Sequence, residues 1–405
     1  MESPRRTRIV VTIGPATQSP ERLRELVTAG MDVARLNMSH GDEDFVRHTV
    51  AELRAACEEL DRRVGILMDL QGPAIRTGTL DQPLDLKIGD TLLLYTGDAP
   101  ETDLAATAVN YPDLDQDLAV GDTVLVDNGN LTLEVGAIAD GRIECKATST
   151  GTLGSRKHIN LPGVRVGLPG LTERDLQCVE IGIDAGVDFF AMSFARTADD
   201  VQRLQQILRD HDAPQRVIAK IENQQGVGNS ADILQAADGI MVARGDLGIE
   251  VPFEDLPIIQ QELIDACHRA GKPVIVATHM LESMIELPAP TRAEITDVAS
   301  AVRQGADAVM LSGETSVGKY PLESFRIMSR IARRIEDSLT SIPSGRDSMD
   351  TYPAWLIEAA CLLADRLGAD TPLVVFTRSG RMAAYAAWYR PQRSPIFAFT
   401  DNRGL

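Results

Sequence analysis

Short apolar segments recur along the chain at the spacing of strands that alternate with helices, and this repeat constrains the fold more than any other feature. Four such segments fall between residues 216 and 315, each rich in Val, Ile and Met and separated from the next by a helix-length stretch. Polar side chains stand at the carboxyl end of each segment. The pattern predicts βα units around a buried parallel sheet, with the chemistry at the strand ends. The segments are Arg216–Glu222, Gly239–Asp246, Pro273–Met280 and Ala308–Glu314.

Four earlier segments have the same character, which makes eight strands. Eight strands alternating with helices is the count of a closed (β/α)8 TIM barrel. A doubly wound open sheet is the alternative, and there the polar strand ends would gather at one switch point rather than around a ring. The earlier strands are predicted at Ile9–Ile13, Asp32–Met38, Gly65–Leu70 and Asp188–Phe194, and helices at Pro20–Ala29, Asp42–Leu60, Ala198–Asp210 and Leu256–Ala270.

The long stretch between the third and fourth strands shows no good helix. It holds short alternating runs punctuated by Gly-Asp and Asn-Gly turns, which predicts a small all-β domain over 73–160, inserted in a loop of a barrel formed by 1–72 and 161–340. Such an insertion at the active-site face would serve as a lid. Its strands are predicted within Thr91–Thr96, Thr123–Asp127, Leu131–Val135 and Arg142–Ala147.

A third region follows a linker at 341–350 that contains Ser, Gly and Asp. One helix, Pro353–Leu367, precedes an apolar strand, Pro372–Thr377. So few elements do not bury an independent core. We therefore expect 351–405 to form an incomplete C-terminal α/β domain, truncated relative to a full one.

Composition narrows the function classes. The net charge is −19, from 40 basic and 59 acidic side chains, which disfavours a nucleic-acid partner. No apolar run approaches the roughly 18 residues of a membrane span, and no secretory signal precedes the first strand, so we expect a cytoplasmic protein. The five cysteines show no metal-binding spacing and are expected to be reduced thiols.

Charged residues cluster at the ends of the later strands. Lys220 and Glu222 are two apart on one strand and share a face, and Asp246 is expected to close the next strand. Two carboxylates would offer hard oxygen ligands to Mg²⁺ or Mn²⁺, with substrate oxygens completing the shell. A lysine beside that ion would neutralise a phosphoryl group during transfer. The alternative is a structural Lys–Glu ion pair with a helix-capping aspartate.

The second and third strands add a further set. Arg35, Asn37 and Ser39 occupy alternate positions and therefore one face, and Asp69 ends the third strand. An arginine there would bind a phosphate with its two-pronged guanidinium. The amide and hydroxyl oxygens suit a monovalent cation or a hydroxyl group.

These motifs together resemble the pyruvate kinase family, and the resemblance covers nearly the whole chain. It implies the barrel, the lid domain and the transfer of a phosphoryl group from phosphoenolpyruvate to ADP, giving pyruvate and ATP in the last step of glycolysis. It also implies a homotetramer for the full-length protein. The matching segments are Ala34–Gly41, Asp69–Gly78, Asn160–Gly163, Ala219–Asn223, Gly239–Pro252, Ala277–Ile285, Pro290–Glu294 and Leu311–Thr315.

The resemblance implies roles for single residues. Lys220 would stabilise the transferring phosphoryl group, and Glu222 and Asp246 would bind the divalent metal. Gly245, Asp246 and Thr278 would contact the enolpyruvate, with Thr278 also near the path of the proton that converts enolate to pyruvate. The remaining implied residues are Arg35 for the substrate phosphate, Ser193 as a further active-site residue, Asn37, His40, Arg76 and Lys157 for the nucleotide, and Asn37, Ser39, Asp69 and Leu70 for K⁺.

One position departs from the family pattern. Many members carry glutamate where Ala74 stands and depend on K⁺, whereas others carry lysine there and do not. Leu70 and Gln71 resemble the K⁺-independent pattern, but Ala74 supplies no internal cation. The dependence on K⁺ is therefore open.

Other functions compete with this interpretation. Lys220 could form a Schiff base in an aldolase-like barrel, but Glu222 would raise its pKa unless a metal held that carboxylate. A truncated barrel with weak or no catalysis would only bind phosphoenolpyruvate and metal. Residues 313–319 have the spacing of a phosphate-binding P-loop, but Tyr320 and Pro321 follow where the metal-binding Ser/Thr would stand, so we reject a nucleotide loop there.

Overall fold

Eight parallel strands close into a barrel in the computed structural model, which describes residues 5–339, 351–368, 371–391 and 394–401. Each strand pairs with its neighbour in chain order, and the eighth pairs with the first. The closed ring confirms the (β/α)8 prediction and excludes the open sheet. The predicted linker at 341–350 lies outside the described residues. The strands are Arg8–Ile13, Val33–Asn37, Gly65–Asp69, Phe189–Met192, Arg216–Ile221, Gly239–Ala243, Val274–Ala277 and Ala308–Leu311.

The strands end earlier than the sequence pattern predicted. The sixth was expected to reach Asp246, but pairing stops at Ala243 and a short helix, Arg244–Glu250, begins there. Asp246 therefore lies in the first turn of a helix and does not close a strand. The eighth strand likewise gives way to Gly313–Ser316. Polar residues beyond the last ladder partner leave the sheet because no neighbouring strand receives their backbone groups.

The predicted barrel helices form where their capping residues place them. The Ser19 side chain accepts a hydrogen bond from the Arg22 backbone nitrogen, and Gly30 ends that helix at a φ of 98°, which glycine adopts without strain. The helical segments around the barrel are Pro20–Ala29, Glu43–Glu59, Glu173–Ala185, Ala198–Asp210, Gln224–Gly228, Ser230–Ala236, Arg244–Glu250, Leu256–Ala270, Glu282–Ile285 (3₁₀), Arg292–Gln304, Gly313–Ser316 and Pro321–Ser338.

One of these helices corrects the sequence prediction. The stretch before the fourth strand was expected to lack a helix, yet Glu173–Ala185 forms one. Thr172 and Asp175 build a capping box, in which each side chain accepts a hydrogen bond from the other residue's backbone nitrogen. This Thr-x-x-Asp signal was readable in the sequence. The helix Glu173–Ala185 separates the lid from the second part of the barrel.

The inserted domain is built on a six-stranded sheet with its own buried apolar cluster, which includes Leu92, Val124, Leu133 and Ile143. The domain leaves the barrel after the third strand and returns before Glu173–Ala185. It therefore stands over the carboxyl ends of the barrel strands, where barrel active sites form. In sheet order the strands are Ile159–Asn160, Thr123–Val126, Leu131–Ala139, Arg142–Ala147, Thr91–Tyr95 and Ala105–Ala108; Gly151–Leu153 pairs separately with Leu84–Leu86, and Leu114–Asp117 is a short helix.

The C-terminal region forms two helices, Tyr352–Leu367 and Arg381–Tyr389, beside a parallel pair of strands, Leu373–Phe376 and Ile396–Phe399. Its buried cluster is small and contains Ile357, Cys361, Val375 and Ala386. Among the helices that the structure describes, none is long and apolar enough to cross a membrane.

Candidate active site

A cavity of about 550 Å³ lies between the carboxyl ends of the barrel strands and the lid. Five of its side chains are basic and four are acidic, in a chain that carries 40 basic and 59 acidic residues. The cavity thus concentrates the basic side chains that anionic ligands require. Its charged residues are Arg35, Arg76, Arg156, Lys157 and Lys220, with Asp69, Asp127, Glu222 and Asp246.

Lys220 is a buried cation that lines this cavity. It lies on the fifth strand, and its Nζ is 2.9 Å from Glu222 Oε1 and 3.1 Å from Asp69 Oδ1. It also donates a hydrogen bond of 2.7 Å to Ser193 Oγ. Burial lowers the pKa of Lys220, but the two carboxylates outweigh burial and raise that pKa above its ordinary value. A lysine held in the charged form suits phosphoryl stabilisation and opposes the Schiff-base alternative.

Arg35 and Asp69 form a second buried ion pair beside Lys220. Arg35 Nε lies 2.6 Å from Asp69 Oδ2, and Arg35 Nη1 donates to Thr12 Oγ1 at 3.0 Å. Burial raises the pKa of Asp69, yet Lys220 and Arg35 overcome that effect and leave it below the ordinary value. Arg35 is thus held inside the site by its partner on the adjacent strand and is not a surface helix cap.

The four residues predicted for K⁺ also line the cavity, and oxygens of Asn37, Leu70 and Asp69 already contact protein groups. Asn37 Oδ1 accepts a hydrogen bond from the Ser39 backbone nitrogen at 3.2 Å, and the Leu70 carbonyl accepts one from Ser193 Oγ at 2.7 Å. Both Asp69 oxygens face cations of the protein. Oxygen donors suit a monovalent cation, while the balanced charge of Asp69 reduces the need for one. Ala74 lines the cavity without adding charge.

Glu222 and Asp246 are the two carboxylates predicted to hold a divalent metal. Glu222 is 1% exposed, and its Oε2 accepts a hydrogen bond of 2.6 Å from the Phe194 backbone nitrogen. Burial and the charge of Asp246 raise the pKa of Glu222 to about 7, against the opposing effect of Lys220. The Asp246 side chain is 37% exposed and faces the cavity. Two carboxylates that repel one another at an open cavity fit a divalent cation.

The size of this donor set also fits Mg²⁺, which takes one or two protein carboxylates together with substrate oxygens. In the part of the chain that the structure describes, no group of three or more His, Cys, Asp or Glu residues could hold a metal on its own. Side chains of these four types that the structure describes therefore do not by themselves complete a coordination shell around Glu222 and Asp246.

Gly245 and Thr278 lie together beside the cavity. The Thr278 hydroxyl accepts a hydrogen bond from the Gly245 backbone nitrogen at 2.7 Å and donates one to the Ala277 carbonyl at 2.6 Å. Arg244, which the sequence interpretation missed, fixes this arrangement. Its guanidinium is buried and bonds the Thr278 carbonyl at 2.6 Å and Asp297 at 2.7 Å.

The lid supplies the opposite wall of the cavity. Lys157 Nζ lies 2.9 Å from Asp127 Oδ1, and Arg76 Nη1 donates to the Arg156 carbonyl at 3.2 Å. The sequence interpretation selected Arg76 and Lys157 but missed Asp127 and Arg156, whose positions follow from the lid sheet. His40 was also predicted at this site, but it is exposed and lies outside the cavity lining.

A lysine, an arginine and two carboxylates at the strand ends of a lidded (β/α)8 barrel define a barrel enzyme with an anion-binding active site. Comparisons with known proteins identify which one: the chain belongs to the pyruvate kinase family. The family described as pyruvate kinase, barrel domain, matches residues 4–325.

Individual relatives agree with the family match and confirm the predicted resemblance. The pyruvate kinase of Geobacillus stearothermophilus is 44% identical over 99% of this chain and 69% of its own length. The chloroplastic pyruvate kinase isozyme G of Nicotiana tabacum is 42% identical over 99% of this chain and 72% of its own length. The crystal structure of a pyruvate kinase from Cryptosporidium parvum matches 98% of this chain and 83% of that chain, with a TM-score of 0.92 and 38% identity.

Proposed function

We propose that this chain transfers a phosphoryl group from phosphoenolpyruvate to ADP, giving pyruvate and ATP, as a cytoplasmic phosphotransferase. The observation that carries the proposal is the buried Lys220 ammonium, held between Asp69, Glu222 and Ser193 at the floor of the cavity. A fixed charge of this kind stabilises the transferring group without reorganising during the reaction. Membership of the pyruvate kinase family supports the same reaction.

The phosphoenolpyruvate would lie on the barrel side of the cavity. Lys220 and Arg35 would bind its phosphoryl group, since both are cations at the strand ends. Gly245, Asp246 and Thr278 would contact the enolpyruvate. The Thr278 hydroxyl is placed by its two backbone hydrogen bonds and would lie on the path of the proton that reaches the enolate.

The nucleotide would lie against the lid. Arg76 and Lys157 would bind its phosphates, and Asn37, which lines the same cavity from the second strand, would add a further contact. His40 remains a proposed contact at the outer edge. Because the lid carries these cations and the barrel carries Lys220, lid closure would bring two anions into line, and positioning of that kind lowers the barrier of a bimolecular transfer.

Glu222 and Asp246 would hold Mg²⁺ or Mn²⁺. When bound there, the ion would neutralise phosphoryl oxygens and orient them toward Lys220. K⁺ would bind near Asn37, Ser39, Asp69 and Leu70 if the enzyme needs it. Because Lys220 and Arg35 already neutralise Asp69, we expect substantial turnover without K⁺.

The test is pyruvate release from phosphoenolpyruvate and ADP with Mg²⁺, measured with and without K⁺. Turnover in both conditions supports the kinase and its independence of K⁺, and turnover only with K⁺ assigns a working cation to the Asp69 set. Absence of turnover from a folded chain that still binds phosphoenolpyruvate would support the alternative of a barrel that only binds. Schiff-base trapping of Lys220 by borohydride with pyruvate would instead support aldolase-like chemistry.

Further expectations concern organisation. We propose the domain bounds 1–72 with 161–340, 73–160 and 351–405, and a homotetramer. Limited proteolysis tests the bounds, because cleavage should fall near 73 and 160 before the barrel is cut. Light scattering at several protein concentrations tests the tetramer.

A further inference from the structure

We propose that His158 is a positioning residue through which the lid controls the Glu222–Asp246 carboxylate pair. The inference rests on the proposed function only in assigning these two carboxylates to a divalent metal. His158 was not selected from the sequence. It directly follows Lys157, but nothing in its local sequence distinguishes it from lid residues that have only a structural role.

His158 belongs to the lid and reaches the barrel. Its backbone pairs with Arg76 in an isolated bridge, and its carbonyl accepts a hydrogen bond of 3.0 Å from the Asp127 backbone nitrogen. Its side chain is 14% exposed, and its Nδ1 lies 4.0 Å from Asp246 Oδ1. The backbone therefore moves with the lid, while the imidazole faces a carboxylate of the barrel.

The same ring contacts the support of the second carboxylate. The His158 ring packs against the Phe194 ring, with centroids 5.8 Å apart and planes inclined at 49°. Phe194 holds the left-handed φ of 52°, rare for a bulky residue, and its backbone nitrogen donates the 2.6 Å hydrogen bond to Glu222 Oε2. One lid side chain thus lies 4.0 Å from Asp246 and is linked to Glu222 through Phe194.

The His158 ring lies between two cavities and forms part of the wall of each. His158 and Phe194 line both the 550 Å³ cavity and a second cavity of about 430 Å³ under the lid. Nδ1 lies 4.0 Å from Asp246 Oδ1, which is too far for a direct hydrogen bond, and we place the imidazole among the outer neighbours of that carboxylate. Outer partners of metal ligands change metal affinity by about 10- to 100-fold when they are removed.

The test is Mn²⁺ binding to the whole 405-residue chain by electron paramagnetic resonance, without substrates, so that the readout does not depend on turnover. We expect His158→Ala to weaken Mn²⁺ binding about tenfold. His158→Phe keeps a ring against Phe194 but has no nitrogen toward Asp246, and we expect it to remain weakened. Arg165→Ala, which alters the second cavity alone, should bind Mn²⁺ like the unaltered chain. Circular dichroism and thermal unfolding check that each variant is folded.

Two results would overturn the inference: unchanged Mn²⁺ affinity in folded His158→Ala, or full recovery in His158→Phe, which would reduce the role to packing. Failure of the proposed function gives a different result. In that case the unaltered chain would bind Mn²⁺ more tightly than His158→Ala but would release no pyruvate. This result would reject the kinase reaction and retain the role of His158.

Discussion

The Lys220 ammonium lies 3.1 Å from Asp69 Oδ1, although the two residues belong to the fifth and third barrel strands, which are not neighbours. Ser193, which follows the fourth strand, fills the gap: its hydroxyl accepts a hydrogen bond from Lys220 at 2.7 Å and lies 3.4 Å from Asp69. Arg35 completes the network from the second strand. Four successive strands thus fix one buried cation.

Lys220→Met should abolish most turnover and spare much of the substrate binding. Methionine fills a similar volume but removes the charge that we propose stabilises the transition state, so we expect kcat to fall by about 10²- to 10³-fold or more. Arg35 still offers a cation to the ground-state phosphate, so we expect phosphoenolpyruvate affinity to change by less than kcat. Coupled turnover assays and calorimetric titration measure the two quantities.

Lys220→Arg is the matched control, because it retains the charge but cannot reproduce the contacts of a compact ammonium with three oxygens. Its kcat should lie between those of the unaltered chain and Lys220→Met. A Lys220→Met enzyme with nearly normal kcat would remove Lys220 from the chemistry.

The sequence predicted which side chains share a strand face, and it offered the Lys220–Glu222 ion pair as an alternative, but it did not predict the pairs that form between strands. Residues two apart on a strand point the same way, so Arg35 with Asn37, and Lys220 with Glu222, were expected at one edge of the barrel, and all four line the cavity. The contact of Lys220 with Asp69 depends on side chains reaching across an intervening strand. The periodicity within one strand does not predict a contact between side chains of two strands that are not neighbours.

The same distinction explains the other differences. Asp246 was placed at the end of a strand, since an apolar run does not reveal where its ladder partner stops. His158 and Asp127 enter the site because the lid sheet folds back over the barrel, a relation between distant segments. The helix Glu173–Ala185 was missed for a different reason: its Thr172 capping box was readable but not used.

Glu222→Gln should raise the metal requirement sharply. The substitution keeps the size of the side chain but removes one of the two proposed anionic ligands, so we expect the concentration of Mn²⁺ or Mg²⁺ that gives half-maximal activity to rise at least about tenfold. Titration of activity and of Mn²⁺ binding checks this. Asp265→Asn, away from the cavity, is the control for loss of one charge, and an unchanged titration in Glu222→Gln would argue against Glu222 as a ligand.

Arg244→Lys should slow turnover without touching the cavity. The Arg244 guanidinium bonds both the Thr278 carbonyl and Asp297, and a lysine ammonium cannot span them. Thr278, held at a φ of 68°, would lose its placement, and a shift of about 1 Å at a reacting group costs about 100-fold in rate. We expect kcat to fall about 10- to 100-fold. The control is Arg303→Lys at an exposed position, which should retain normal kcat. Normal kcat in Arg244→Lys would contradict this positioning role.

Gly182→Ala should destabilise the barrel, whereas the same substitution at Gly228 should not. A Cβ at Gly182 would lie 2.7 Å from the Phe190 ring and 3.0 Å from Met68 Sδ, because this helix packs directly on the third and fourth strands. Overpacking of this kind costs about 1–3 kcal/mol. At Gly228 a Cβ meets nothing within 4 Å, so alanine should be neutral or stabilise the helix by up to about 1 kcal/mol. Thermal unfolding of both variants separates packing from helix propensity, since the chemical change is identical. Equal melting temperatures would mean that the helix shifts to accept the methyl group and that Gly182 is not required for the contact.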